Sequence, residues 1–147
     1  MKVAKKPSKD ISGVGALIYS TSTQRYLFLL RDNCKFSGTW GLAGGKVEDN
    51  EVLLESLYRE LEEELGYDFK NSKVIPLEKF TSENNRFTYH TFLIPVYEEF
   101  VPLLNNEHKG YCWVGIADHP TPLHPGVWRT FKFKAVIDKI TTLESIL

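Results

Sequence analysis

The stretch from Ala43 to Tyr67, AGGKVEDNEVLLESLYRELEEELGY, leaves this chain the fewest choices of structure. A glycine pair opens it, an acid-rich leucine pattern fills it and Gly66 closes it. The spacing predicts a helix over about Glu51 to Leu65, with Asp49 or Asn50 as N-cap and Gly66 just past the C-terminus. With each residue about 100° from the last, Leu53, Leu54, Leu57, Leu61 and Leu65 cover one side. Glu60, Glu63 and Glu64, spaced i, i+3, i+4, share another face, with the small Ser56 one turn before Glu60. Glu48, Asp49 and Glu51 suit the positive end of the helix dipole.

Glutamates on a helix are most often simply solvated. Like charges at i, i+4, however, destabilise a helix by a few tenths of a kcal/mol per pair. Three carboxylates on one face therefore suggest a cation between them. The fuller pattern is more specific: Gly45, Glu51, Arg59-Glu60, Glu63-Glu64 and Gly66, with Leu61 and Tyr67 at two bulky apolar places. It resembles the signature of the Nudix hydrolases, with Tyr67 as its final apolar residue.

At 147 residues the chain is one domain's worth and long enough to bury a core. A net charge of −1 excludes binding to nucleic acid through bulk positive charge. Two cysteines, Cys34 and Cys112, are too few for a disulfide framework and lie in no metal-type spacing, so a reducing cytoplasm is expected. The start, MKVAKKPSKD, is basic and lacks the apolar core of a signal peptide, and no run is long enough to span a membrane. Residues 1–10 are expected to be a loose tail and 11–147 a single domain.

Val14–Ser20 and Tyr26–Leu30 are rich in branched and aromatic residues and predict a hairpin across the polar turn 21–25. Val74–Thr81 and Arg86–Tyr97 predict a second hairpin around Glu83-Asn84-Asn85. Pro95 argues for an edge or bulge near that strand's end. Tyr111–Ile116 reads as a further strand, Leu123–Gly126 as a turn, and about Phe131 to Ser145 as a closing helix. Strands before and after a central helix give an α/β protein with a mixed sheet. The resemblance implies the Nudix fold, an α/β/α sandwich in which a loop–helix–loop turns its leucines inward and its carboxylates toward a cleft.

Hard oxygen ligands suit Mg²⁺ or Mn²⁺, which screen phosphate charge and acidify a bound water. The resemblance implies metal binding by Glu60, Glu63 and Glu64, with the backbone carbonyl of Gly44 a further ligand. It also implies that Arg59 orients a glutamate and that Glu51 pairs with that network. A glutamate shortly before the tryptophan of a later strand reaches the metals in family members that act on nucleoside triphosphates. Here that position points to Glu107, ahead of Glu98 and Glu99. Either Glu60 or Glu107 could serve as the base. Lys46 is placed to approach phosphate, and Arg31, Arg86 and Arg129 could each meet one. Tyr89, Phe87 and Trp128 could stack on a base. The four histidines have no zinc-like spacing and read as surface or strand residues.

The chain departs from the family pattern at Ala43, where proline is common, and at Asn50, where glycine is common. Neither supplies a catalytic side chain, so altered loop stiffness and intact metal binding are expected. Neither a proline nor a tyrosine of the kind that marks certain substrate classes occurs in 80–86. The reading that follows is a Mg²⁺- or Mn²⁺-dependent hydrolase of a nucleoside diphosphate linked to another moiety, such as ADP-ribose, a dinucleoside polyphosphate or a nucleotide sugar. The alternatives are a nucleoside triphosphate pyrophosphatase and a non-catalytic nucleotide-binding module. The expected partner is a small nucleotide, neither membrane nor nucleic acid, with a monomer and a homodimer both open.

Overall fold

The computed structural model describes residues 10–147; the expected tail lies, except for Asp10, outside the described residues. Seven strands and three α-helices follow in the order β1 (Ile11–Ser20), β2 (Arg25–Arg31), β3 (Trp40–Gly41), β4 (Ala43–Lys46), α1 (Leu53–Leu65), β5 (Ile75–Thr81), β6 (Phe87–Val96), β7 (His108–Val114), α2 (Pro125–Lys132) and α3 (Lys134–Ile146). Among these residues no helix is long and apolar enough to cross a membrane.

Both expected hairpins form, but the first opens into a fork. β1 and β2 pair only at Tyr19↔Tyr26 and Ser20↔Arg25, next to their turn. Beyond it, β4 pairs with Gly13–Ala16 of β1 and β3 with Leu29–Leu30 of β2. The segment 40–46 thus wedges the fork open and carries Gly44 and Gly45 into its mouth. β6 runs parallel to β1 along its whole length and β5 antiparallel to β6, while β7 takes the other edge of β2. Pro95 lies in an interior strand, past the last β5 pair at Leu93, where no neighbour on that side needs its missing N–H.

The alternation of β1 feeds two cores. Val14, Ala16 and Ile18 pack with Leu57, Leu61 and Leu65 of α1 and with Phe69, Ile94 and Trp113. Leu17 and Tyr19 face the other way, against Tyr26, Phe28, Leu93 and the α3 residues Val136 and Ile140. Helices therefore cover both faces of a mixed sheet, the sandwich expected from the sequence.

Three details correct that expectation. First, α1 begins at Leu53 after an uncapped Val52, not at Glu51 with Asp49 or Asn50 as cap. Asn50 instead adopts φ 65°, the left-handed region that explains the family's glycine there and that asparagine tolerates. Second, Leu54 is exposed, outside the leucine stripe. Third, the closing helix is two helices broken at Phe133, and the expected turn at 123–126 already starts α2. His124 caps it by accepting from Gly126 N at 3.0 Å, and Pro125 follows in the first turn, where its missing N–H costs nothing. At the other end of the organising stretch Gly66 takes φ 68° and donates to Glu62 O, as expected.

Candidate active site

Arg59 stands at the centre of the acidic cluster. Its Nε donates to Glu51 Oε2 at 2.7 Å and its Nη2 to Glu51 Oε1 at 3.0 Å, a two-pronged pair. Nη1 donates to Glu60 at 2.9 Å and, more weakly, to Glu63 at 3.3 Å, and Nη2 also reaches Lys46 O at 3.1 Å. Glu51 accepts further from Glu48 N at 2.9 Å and Ser56 Oγ at 2.5 Å, so its carboxylate is saturated with donors. Those bonds, Arg59's first, hold its pKa down at about 2. Glu51 is therefore a fixed anion that anchors Arg59, and Ser56, buried at the helix start, is small because the carboxylate fills the space above it.

The three glutamates expected to bind metal differ sharply in environment. Glu63 is the most exposed, with 53% of its side chain in solvent, whereas Glu60 keeps 13%. Glu60 lies against Gly45 so closely that a Cβ there would overlap its carboxylate. Glu64 is turned fully inward, and its Oε1 accepts from Gly44 N at 2.6 Å. The three carboxylates thus share one helical face and differ in depth: Glu64, the i+4 residue, is buried against β4, while Glu63 stays in solvent.

Burial and like charge work together on this pair. Desolvation, then its neighbours Glu63 and Glu107, raises Glu60 against the pull of Arg59. Glu64 is pushed up to about 8, mainly by burial and further by Glu60 and Glu107, although the Gly44 N–H opposes the shift. The Glu107 charge acts on both, so this residue lies within electrostatic reach of the pair. Its backbone carbonyl accepts from Asp32 N at 2.8 Å, and its N–H bonds Asn105 Oδ1 at 3.0 Å. Glu98 and Glu99 do not join the cluster in the interactions described; Glu99 is paired with Arg25 at 2.6 Å.

His108, expected as a surface or strand residue, opens strand β7 and is buried there, with Nδ1 3.5 Å from Glu64 Oε2 and no hydrogen-bond partner on either ring nitrogen. Burial, helped by the Arg31 charge, lowers its pKa to about 4, so the contact is between a neutral imidazole and the carboxyl group rather than an ion pair. Nothing in its sequence neighbourhood marks this role; it follows from the pairing of β7 with Arg31 of β2.

As they stand, no three His, Cys, Asp or Glu side chains among the described residues are grouped to hold a metal ion. Their chemistry nevertheless fits a divalent cation. Glu60 and Glu64 are hard oxygen donors whose charge is penalised by burial and by each other, and a cation removes both penalties. Glu60, Glu63 and Glu64, with Glu107 beside them, are the residues that could hold it, and Gly44 supplies backbone at the same place.

Beside the cluster a cavity of about 480 Å³ opens between the sheet and α2. Tyr89, which lines it, packs its ring over Gly13 and Gly15, where a Cβ on either would run into that ring. Gly44, Gly45 and Arg31 line one part, Phe80, Phe87 and Tyr89 the aromatic wall, and Arg129 and Thr130 the roof. Arg31 is therefore at the site, its Nε and Nη2 resting on Lys35 O at 2.9 and 2.8 Å. Lys46 and Arg86 do not line the cavity. Trp128, proposed with Phe87 and Tyr89 as a stacking residue, is half exposed outside it with Lys132 3.9 Å over its ring.

The NUDIX domain model matches residues 9–135. An 8-oxo-dGTP diphosphatase from Proteus vulgaris is 33% identical over 78 residues, 53% of this chain and 66% of that protein. The nucleoside triphosphatase NudI of Escherichia coli O139:H28 is 31% identical over 94 residues, 56% of this chain and again 66% of the relative. The chain thus spans just under two thirds of the length of these curated relatives. Among solved structures, a MutT protein from Methanosarcina mazei superposes with a TM-score of 0.68 at 25% identity, covering 94% of this chain and 97% of its own. With the family model spanning most of its length and the glutamate-bearing helix set against Gly44 and Gly45 at the edge of the cavity, this chain belongs to the NUDIX domain family.

Proposed function

We propose that the protein is a divalent-cation-dependent nucleoside triphosphate pyrophosphohydrolase that releases a nucleoside monophosphate and pyrophosphate. The observation that carries this reading is the continuity of the site. One cavity is lined by Gly44 and Gly45, on which Glu64 and Glu60 rest, and by an aromatic wall of Phe80, Phe87 and Tyr89. The names of the two relatives, an 8-oxo-dGTP diphosphatase and a nucleoside triphosphatase, support the triphosphate class. A nucleoside diphosphate linked to another moiety, put first from the sequence alone, becomes the second reading.

When bound, Mg²⁺ or Mn²⁺ supplies phosphate charge neutralisation and a water of lowered pKa. The chain supplies placement. Arg59, locked by Glu51, fixes Glu60 and restrains Glu63. The Gly44 N–H orients Glu64, whose burial keeps a proton on it near neutral pH in the cation-free protein. Arg31 lines the cavity with Nη1 uncommitted in the bonds it makes to Lys35, and is the residue offered to phosphate. Phe80, Phe87 and Tyr89 exclude water from the nucleoside end.

The test is turnover of the canonical nucleoside triphosphates and 8-oxo-dGTP against ADP-ribose, dinucleoside polyphosphates and nucleotide sugars, each with Mg²⁺ or Mn²⁺ and with EDTA. Pyrophosphate release from a triphosphate, abolished by EDTA, is expected. Cleavage confined to the linked diphosphates would replace this reading with the second. Tight nucleotide binding without cleavage of either class would make the protein a binding module.

A further inference from the structure

The roof of the cavity carries an arginine whose donors are poorly used. The Arg129 guanidinium carbon stands 3.3 Å over the Phe80 ring centroid, a stack that sets the plane of the fork. Its Nη1 is buried without a hydrogen-bond partner. Nη2 lies 3.7 Å from Glu78 Oε1, too far for a hydrogen bond, and that oxygen already accepts from the Thr130 hydroxyl at 2.7 Å. A buried donor left in this state costs on the order of 1–3 kcal/mol until an acceptor arrives.

Arg129 is separate from the phosphate end. The Arg31 charge acts on Glu64, His108 and Tyr89, whereas the neighbouring charge that acts on Arg129 is Glu78. Arg31 ends β2 and Phe80 belongs to β5, with β1 and β6 between them. Three strand spacings put these strands about 14 Å apart or more. A nucleotide with its phosphates at Gly44, Gly45 and Arg31 therefore extends its base toward Phe80 and Arg129.

A guanidinium only donates, so the base edge that satisfies it must offer acceptors. A 6-oxopurine presents O6 and N7 side by side; adenine sets its 6-amino donor against the arginine's own. We propose that Arg129 is a specificity-determining residue that reads the acceptor edge of a 6-oxopurine, guanine or hypoxanthine, and disfavours adenine. This rests on the reading of the cavity as a nucleotide site.

ITP and ATP differ at the 6-position that the proposal concerns, and kcat/KM for ITP, GTP and ATP would be compared in the wild type, Arg129→Met and Arg129→Lys. The wild type is expected to favour ITP and GTP over ATP by about tenfold or more. Arg129→Met should reduce that ratio to within about threefold, and Arg129→Lys, which keeps charge but not the planar fork, should fall between and serves if the methionine variant does not fold. A ratio unchanged in a folded variant, an equal loss on all three substrates, or a wild type that prefers ATP overturns the assignment. Binding of IMP and AMP by calorimetry gives the same comparison without turnover. Should no triphosphate be hydrolysed, the proposed activity fails, yet IMP bound over AMP in an Arg129-dependent way upholds this assignment, and equal or no binding of both overturns it.

Discussion

Arg59 and Glu51 face each other edge to edge, Nε to Oε2 at 2.7 Å and Nη2 to Oε1 at 3.0 Å, and so tie the irregular lead-in of α1 to its second turn. Because Arg59 also donates to Glu60 and Glu63, Glu51 acts on both glutamates without touching either in the bonds described. Lysine cannot reproduce a two-pronged contact that simultaneously reaches a third carboxylate. Arg59→Lys and Glu51→Gln should each lower kcat/KM by about ten- to hundredfold, the range typical of residues that orient metal ligands. Steady-state kinetics across a Mg²⁺ titration checks this, and full activity at ordinary Mg²⁺ would remove the pair from the machinery.

Glu63 offers the cleanest separation of chemistry from folding. Its side chain is half in solvent and bonded only weakly, at 3.3 Å and 3.4 Å to Arg59 Nη1. Surface contacts of this kind contribute about 0–1 kcal/mol. Glu63→Gln should therefore keep the wild-type Tm within a few degrees while lowering kcat by about a hundredfold or more, beyond the effect of a merely supporting residue. A folded variant with wild-type turnover would show that Glu63 is an ordinary surface acid.

The adjacent glycines predict opposite failures. A Cβ on Gly44 would strike the Val14 carbonyl and the Gly15 Cα, backbone that cannot step aside without breaking the β1–β4 pairing. A Cβ on Gly45 first meets the Glu60 carboxylate, the movable end of a side chain. Gly44→Ala should cost about 1–3 kcal/mol of stability and lower Tm by roughly 3–10 °C. Gly45→Ala should shift Tm little and instead weaken activity and divalent-cation affinity by displacing Glu60. Thermal melts and activity assays on the two variants decide it, and an unchanged cation affinity in Gly45→Ala would contradict the role given to Glu60.

Much of this site was legible in the sequence for a physical reason. Helical spacing fixes which residues share a face, so Glu60, Glu63 and Glu64 could be grouped before any coordinates, and Gly66 could be set at the helix end; Arg59 enters through the family resemblance. The inward turn of Glu64 was not legible, because it depends on how closely α1 approaches β4, a distance set by Gly44 and Gly45 against Gly15 and Glu60. The contact of His108 with Glu64 escaped for the same reason, and so did the stack of Arg129, named only as a possible phosphate contact, on Phe80: each joins elements remote in sequence. One overlooked signal was Gly13 and Gly15, two residues apart on a strand. That spacing strips one face of side chains and announces a bulky neighbour, here Tyr89. The closing helix was misjudged at its start because His124-Pro125-Gly126 reads equally as a turn or as an N-cap followed by a proline in the first turn.

The buried carboxyl of Glu64 gives the cation-free protein a distinctive pH dependence. Its folded pKa of about 8 exceeds its ordinary value of 4.5, so the folded state holds the proton more tightly than the unfolded one. The stabilisation is complete below pH 4.5 and is lost as pH rises through 8. His108 and His124 act in the opposite sense: both are lowered from 6.5 to about 4, mainly by burial, so the stability they contribute is present above pH 6.5 and lost toward pH 4. Between pH 6.5 and 8 the histidines are spent and Glu64 acts alone, at roughly 1.4 kcal/mol per pH unit. The Tm in EDTA should accordingly fall by several degrees across that interval. Glu64→Gln, which cannot ionise, should flatten the decline. Saturating Mg²⁺ or Mn²⁺ should reverse it, since a cation binds the deprotonated carboxylate and takes its strongest hold where the free protein is least stable. A Tm that stays level in EDTA from pH 6.5 to 8 would mean that Glu64 is already ionised in the cation-free fold, and that its burial under the fork is compensated by something other than a proton.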